Sequence, residues 1–152
     1  MNITVEIIKR KDIKNLANLF FEDSREEDNF FNQFTTKQEM IEVLNSTKKD
    51  LFFLIKHLDN ICGYMSLRGL DDGYENPRFG IYIFSEFRNR NIATNAIKFL
   101  FLFCIRKKNF TYIDLIVDKD NIKAIGLYKS LGFKSTNEDG QNINMIKMLN
   151  VN

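Results

Sequence analysis

The sequence predicts an α/β fold built on one mixed sheet, and three observations predict it. Short β-branched or aromatic runs alternate with runs of helical period in the order β-α-α-β-β-β-α-β-α-β-β. Asp59-Asn60 and Asp139-Gly140 stand between paired strand-like runs, where residues that tolerate positive φ close hairpins. A chain of 152 residues is long enough for a single core without covalent staples, so residues 1–152 are read as one domain.

Each element has its own signal. Thr4 to Lys9 alternates loosely and makes a first strand. Asp12 is placed to cap a helix running to Glu22, because Ile13, Leu16, Ala17 and Phe20 recur at helical spacing. The acidic stretch Glu22, Asp23, Ser24, Arg25, Glu26, Glu27, Asp28 reads either as a solvated loop or as one wall of a site for a cationic group, with Phe30, Phe31 and Phe34 to tuck it against the body. Thr36 and Glu39 have capping-box spacing ahead of a second helix that ends near Ser46. Leu51 to Leu58 and Ile61 to Leu67 form a hairpin. The only histidine, His57, falls beside its turn and reads more readily as a surface residue than as a base.

Gly69 to Asn76 is a polar loop, and Phe79 to Phe84 is the fourth strand. A polar turn, Phe87 to Asn91, then leads into a long helix. Two arginines and several unpaired helix N-terminal N–H groups converge at this turn, which is either an anion cradle or a solvated connection. After Lys98 every residue to Ile105 is apolar, so the second half of that helix needs cover on most sides, from the chain's own core or from a homodimer partner. Tyr112 to Val117 is the fifth strand. Asp120 or Asn121 caps a short helix through Leu131 that Gly132 ends, and Phe133 to Leu149 closes the chain as a second hairpin.

Composition narrows the function. Apolar content of 44%, charged content of 28% and a net charge of +2 fit a soluble globular protein and give no electrostatic reason to bind nucleic acid. The longest apolar run, Phe99 to Ile105, is far short of the roughly 20 residues needed to cross a bilayer, so no membrane partner is expected. Cys62 and Cys104 lie inside apolar runs without metal-ligand or redox spacing, and no charged-then-apolar leader opens the chain. These features point to a reduced, cytoplasmic protein with inert thiols and no metal.

Asn121-Ile122-Lys123-Ala124-Ile125-Gly126-Leu127-Tyr128-Lys129-Ser130-Leu131-Gly132-Phe133 closely resembles the second signature of the GCN5-related N-acetyltransferase (GNAT) superfamily. Arg88 to Ala93 is similar to that family's first signature, Gln/Arg-x-x-Gly-x-Gly/Ala, with Asn91 where the family has glycine. Asn is the next most tolerant residue for unusual backbone angles. The resemblance covers essentially the whole chain. It implies a mostly antiparallel sheet of about seven strands flanked by four helices, with the fourth and fifth strands splayed around acetyl-coenzyme A. It further implies that the edge at Ile81, Tyr82 and Ile83 pairs with pantetheine and offers an oxyanion donor. The pyrophosphate would rest on Arg88, Asn89, Arg90, Asn91, Ile92, Ala93 and Thr94, with Asn121 helping to position the cofactor.

Tyr128 matches the family's general acid for the departing thiolate. Reference values of roughly 10 for a phenol and roughly 8.5 for a thiol put full transfer about 2 kcal/mol uphill, so a hydrogen bond alone would serve. Where relatives often carry a strand glutamate this chain has Arg78, which leaves Glu75, Asp23, His57 or a bound water to take the amine's proton, Glu75 being the residue nominated. The implied reaction is direct acetyl transfer to a primary amine in a ternary complex. Acidic residues in the two acceptor loops favour a cationic amine such as a polyamine, an aminoglycoside or a peptide amine. A nucleotide-linked amino sugar held by Arg25, Arg68 and Arg78 is the second acceptor. A non-catalytic coenzyme A-binding module is the alternative function.

Overall fold

The computed structural model describes residues 2–23 and 33–149. The elements are β1 (Thr4–Ile7), α1 (Arg10–Glu22), α2 (Lys37–Ser46), β2 (Leu51–His57), β3 (Asn60–Arg68), β4 (Arg78–Ile83), α3 (Ile92–Lys107), β5 (Tyr112–Asp118), α4 (Ile122–Ser130), β6 (Lys134–Asp139) and β7 (Asn142–Met148), with a 3-10 turn at Ser85–Phe87 between β4 and α3. The seven strands form one sheet in the order β1-β2-β3-β4-β5-β7-β6. Every pairing is antiparallel except β4 with β5.

Strand pleating divides the core between the two faces. One face buries Met65, Leu67, Phe79, Ile113, Leu115 and Val117 against Ala96, Ile97, Leu100 and Cys104 of α3, with α4 packed alongside. The other buries Leu54, Tyr64 and Tyr82 against Ile13, Leu16, Ala17 and Phe20 of α1 and Met40 and Leu44 of α2. On β4, then, odd-numbered side chains face α3 and α4, and Gly80 and Tyr82 face α1 and α2.

Several local expectations need correction. Asp12 is not the cap of α1; Lys9 occupies that position without a side-chain bond, and Asp12 lies in the first turn, where a carboxylate still meets the positive end of the helix dipole. The hairpin turns fall at Leu58-Asp59 and Gly140-Gln141 rather than one residue away, since His57 pairs with Asn60 and Asp139 with Asn142. A bulge at Cys62 in β3 and another at Thr136 in β6 shift each register by one on the way to the turn, an extra residue in one strand facing one in its partner. Thr36 caps α2 as the spacing predicts, but the Glu39 carboxylate reaches one residue further back than a capping box requires. Thr36 Oγ1 accepts from the Glu39 N–H at 3.0 Å, while the Glu39 carboxylate accepts from Thr35 N at 3.2 Å.

The apolar half of α3 is covered on one side only. Leu100 and Cys104 are buried, whereas Phe99, Leu102 and Ile105 remain 44–50% exposed. Among the described residues, no helix is long and apolar enough to cross a membrane, and no cluster of three or more His, Cys, Asp or Glu could hold a metal ion.

Candidate active site

β4 and β5 pair at a single position, Arg78 with Asp114, and then diverge. Three contacts pin that point. Asp114 N–H donates to the Pro77 carbonyl at 3.2 Å, the Asn76 side-chain oxygen accepts from Thr111 N at 2.7 Å and Tyr112 N at 3.2 Å, and Arg78 grips both Asp114 carboxylate oxygens at 3.2 and 3.1 Å. Beyond them a cleft of about 1420 Å³ opens between the strands.

The cleft wall on β4 is strand backbone whose edge toward β5 no strand pairs beyond Arg78. Phe84 N–H bonds Cys62 O at 2.8 Å, and since opposite residues in an antiparallel pair alternate between bonded and non-bonded, Tyr82 and Gly80 direct their polar backbone at β3. The N–H and C=O groups of Ile81 and Ile83 therefore point into the gap toward β5. Tyr82 contributes its side chain instead: its hydroxyl donates to Asp23 at 2.7 Å, and Asp23 also accepts from Ser85 Oγ at 3.0 Å and Ser85 N at 3.2 Å. This network fastens the end of α1 to the turn after β4.

That turn is built by two asparagines in the left-handed region, Asn89 at φ 62° and Asn91 at φ 61°. Asn91 is the N-cap of α3 and its side chain makes no capping bond, so the sequence satisfies the backbone geometry with asparagine where glycine would cost least. The N–H groups of Ile92, Ala93 and Thr94 lie within the first turn and have no intrahelical acceptor, and all three residues line the cleft. Arg88 Nε donates to Ile83 O at 2.9 Å and its guanidinium lies over the Tyr82 ring at 5.3 Å.

From the opposite side comes α4. Asn121 caps it by accepting from Ala124 N at 3.2 Å. The helix ends in a Schellman turn, with Phe133 N–H bonded to Tyr128 O and Gly132 N–H to Lys129 O, both at 3.0 Å, and Gly132 at φ 95°. Edge contacts with Phe79 and Phe133, at centroid distances of 6.3 and 5.6 Å, orient the Tyr128 ring toward the cleft it lines.

Of the residues nominated from sequence, Ile81, Tyr82, Ile83, Arg88, Asn89, Asn91, Ile92, Ala93, Thr94, Asn121 and Tyr128 share this cleft. Arg90 and Glu75 do not line it. Arg90 is exposed, with its guanidinium over the Phe87 ring at 5.8 Å, and Glu75 is exposed on its loop. His57 is remote too, its Nδ1 lying 2.8 Å from Asn2 O. Among the acidic acceptor-loop residues, Asp72 lines the cleft, while Asp71 is spent on structure: it accepts from the N–H groups of Lys49 at 2.7 Å, Lys48 at 3.2 Å and Asp50 at 3.3 Å. Those backbone donors, Lys49 foremost, hold the Asp71 carboxyl below its usual range. Expectations placed on Arg25, Glu26, Glu27, Asp28, Phe30 and Phe31 lie outside the described residues.

Sequence reasoning missed Lys123, Asp114, Ser66 and Gln33, all of which line the cleft. Ser66 is the single buried polar residue among those described; it accepts from the Gln33 amide at 3.1 Å, and Tyr64 OH donates to the same amide's oxygen at 2.7 Å. Only the β3–β4 register, which sets Ser66 opposite Gly80, brings this chain of hydrogen bonds to the acceptor side. Lys123 stood inside the second signature, and its position two residues after a helix cap was the available signal.

A splayed parallel pair with an exposed strand edge, a helix N-terminus at its mouth and a tyrosine facing inward defines an acyltransferase-type domain. The chain belongs to the acetyltransferase (GNAT) family, whose model matches residues 10–133. It is 32% identical over 94 residues to spermidine N(1)-acetyltransferase of Escherichia coli (strain K12), a match covering 57% of this chain and about half, 50%, of that relative. Its fold is similar to that of spermidine N-acetyltransferase from Vibrio cholerae in complex with CoA and spermine, with a TM-score of 0.80, 20% identity and coverage of 97% of this chain and 95% of the other. The dodecameric spermidine N-acetyltransferase structure from the same organism gives a TM-score of 0.77 at 19% identity, covering 97% and 94%.

Proposed function

We propose that this chain is an acetyl-coenzyme A-dependent N-acetyltransferase acting on a primary amine, with cationic polyamine-like amines as the favoured acceptors. The observation that carries the reading is the convergence on one cleft of the β4 edge at Ile81 and Ile83, which no strand pairs, the first-turn N–H groups of α3 and the Tyr128 side chain. Pantetheine adds to the β4 edge as an extra strand, and the pyrophosphate sits on Ile92, Ala93 and Thr94. The family membership and the spermidine and spermine named for the relatives support the same assignment.

The proposed reaction uses those positions. The neutral amine nitrogen attacks the thioester carbonyl carbon, and the developing oxyanion is met by a backbone N–H of the β4 edge, preorganised by the strand. As the C–S bond breaks, the Tyr128 hydroxyl hydrogen-bonds or protonates the thiolate. Glu75 stands outside the cleft, and the amine's own proton leaves through water in this proposal. Asp72 is the cleft carboxylate suited to an ammonium group before it deprotonates, Asp114 being held by Arg78.

Free thiol released from acetyl-coenzyme A across a panel of polyamines, aminoglycosides, peptide amines and nucleotide-linked amino sugars tests the reading. Turnover strongest with polyamines is expected. Coenzyme A binding without thiol release from any amine would reject the enzyme in favour of a coenzyme-binding module.

Direct transfer requires no thiol nucleophile. Burial pushes Cys104 up to about 12 and raises Cys62 as well, so neither supplies a thiolate at neutral pH. The double variant Cys62→Ala, Cys104→Ala should keep turnover within about threefold of the parent once folding is matched by circular dichroism, a core change of this kind acting through stability rather than chemistry. Asn91→Gly should tighten coenzyme A binding by about threefold in titration calorimetry, because the left-handed turn is easier for glycine and the Asn91 side chain makes no capping bond; weaker binding would show that the amide is used. Self-association through Phe99, Leu102 and Ile105 is part of the same reading, in line with the dodecameric relative. Leu102→Glu should then shift sedimentation velocity toward monomer, and an unchanged profile would exclude that face.

A further inference from the structure

We propose that Asp50 and Asp71 are positioning residues for the acceptor: together they clasp the loop between β3 and β4 so that Asp72 lines the cleft. The inference rests on the acetyltransferase reading above and deepens it on the acceptor side. The two aspartates exchange backbone bonds. Asp71 N–H donates to Asp50 Oδ1 at 3.0 Å, and Asp50 N–H donates to Asp71 Oδ2 at 3.3 Å. Leu70 N–H adds a second bond to Asp50 Oδ1 at 2.7 Å, and the Lys49 and Lys48 N–H groups reach Asp71 at 2.7 and 3.2 Å. Strand register brings these segments together, since Asp50 immediately precedes β2, where Leu51 pairs with Leu67 near the end of β3.

The loop has little packing of its own. Leu70 is buried, but Asp71 to Glu75 are all exposed, and a segment with few apolar contacts opens readily unless its backbone is bonded. Its inner turn closes on Gly69, at φ 97°, whose carbonyl accepts from Asp72 N and Tyr74 N, both at 3.1 Å. That turn fixes Asp72 relative to Gly69, and the clasp fixes the turn relative to the start of β2, while Asn76 holds the far end on Thr111 and Tyr112. Bonds from N–H to a carboxylate are charge-assisted and roughly twice as strong as neutral ones. Asp72 spends its carboxylate on none of these bonds and lines the cleft. The two clasping carboxylates work differently. Asp71 accepts through both oxygens, whereas Asp50 accepts through Oδ1 alone. An amide in place of Asp71 would turn its NH2 group toward backbone donors, but an amide in place of Asp50 can keep its oxygen on both of them.

The experiment is steady-state kinetics of the full chain with a linear triamine as acceptor, beside coenzyme A titration, amide hydrogen exchange and melting curves. Asp71→Asn and Asp50→Ala should each raise KM for the amine about tenfold, with kcat and coenzyme A affinity within about twofold of the parent. The Lys49 amide in Asp71→Asn and the Leu70 amide in Asp50→Ala should exchange faster than in the parent. Asp50→Asn should behave as the parent does. Asp72→Asn should raise the same KM, and adding Asp71→Asn to it should raise KM little further, because Asp71 acts through Asp72. An unchanged KM in Asp71→Asn overturns the proposal. So does Asp50→Asn as damaging as Asp50→Ala, which would mean that the Asp50 charge meets the amine directly. Additive effects of Asp71→Asn and Asp72→Asn, or a parallel fall of kcat, coenzyme A affinity and melting temperature, overturn it as well. If the parent released no thiol with any amine, the acetyltransferase reading itself would fall, and the positioning role with it, even with these amides protected.

Discussion

Tyr128→Phe should slow acetyl transfer by on the order of a hundredfold, the scale of a lost general acid, while coenzyme A binding stays as in the parent. The substitution is informative because the ring contacts and the backbone hydrogen bond that place Tyr128 do not involve its oxygen. Tyr128 packs edge-on to Phe79 and Phe133, and its carbonyl, not its side chain, receives the Phe133 N–H that closes the Schellman turn. Phenylalanine keeps those contacts and deletes the hydroxyl alone. Single-turnover kinetics with saturating amine, beside a melting curve to show that folding is intact, isolates the chemical step. Turnover equal to the parent's would remove Tyr128 from the proposed mechanism and leave the thiolate to solvent.

Gly63→Ala should destabilise the fold by about 3 kcal/mol, at the upper end of overpacking effects, and damage the cleft as it does so. A Cβ at Gly63 would fall on the Tyr82 carbonyl oxygen and lie 3.0 Å from the Ile83 Cα. Both are backbone atoms of the strand that lines the cleft, so no side chain can rotate aside; β3 and β4 must separate where Gly63 pairs with Ile83. Gly126→Ala in α4 is the control. Its Cβ would meet nothing within 4 Å, and an alanine inside a helix should raise stability by roughly 0.5–1 kcal/mol. Urea unfolding of the three proteins gives the comparison. A Gly63→Ala midpoint indistinguishable from the parent's would contradict the close approach of these two strands.

The contrast between these two positions shows what sequence patterns convey. Tyr128 and Gly132 sit within one continuous helix and its terminator, where spacing along the chain is spacing in space, and so the helix, its cap and its facing tyrosine were legible together. Asn91 was legible as the flaw in the first signature, and its positive φ follows from that turn's geometry. Gly63 carried no such signal, because its neighbour is a strand twenty residues away. The hairpin turns fall one residue from the expected pairs for a related reason: register, with its bulges at Cys62 and Thr136, is decided by cross-strand packing, which periodicity within a strand does not report.

Glu75 illustrates the same limit at the site. A charged loop residue before β4 is equally consistent in sequence with facing the cleft or facing water, and only the path of the loop, tied down by Asp71 and Asn76, turns it outward. By itself the sequence determined the element order, the α2 cap, the α/β class, and that the turn before α3 and Tyr128 carry the family's signatures, since all of these are written in local propensity and in contiguous motifs. The tertiary structure alone decided that β4 and β5 meet only at Arg78 and Asp114, that no strand pairs the β4 edge beyond that point, and that Lys123 reaches Asn89. Those depend on strand register and on contacts between distant segments, which no stretch of the chain encodes on its own.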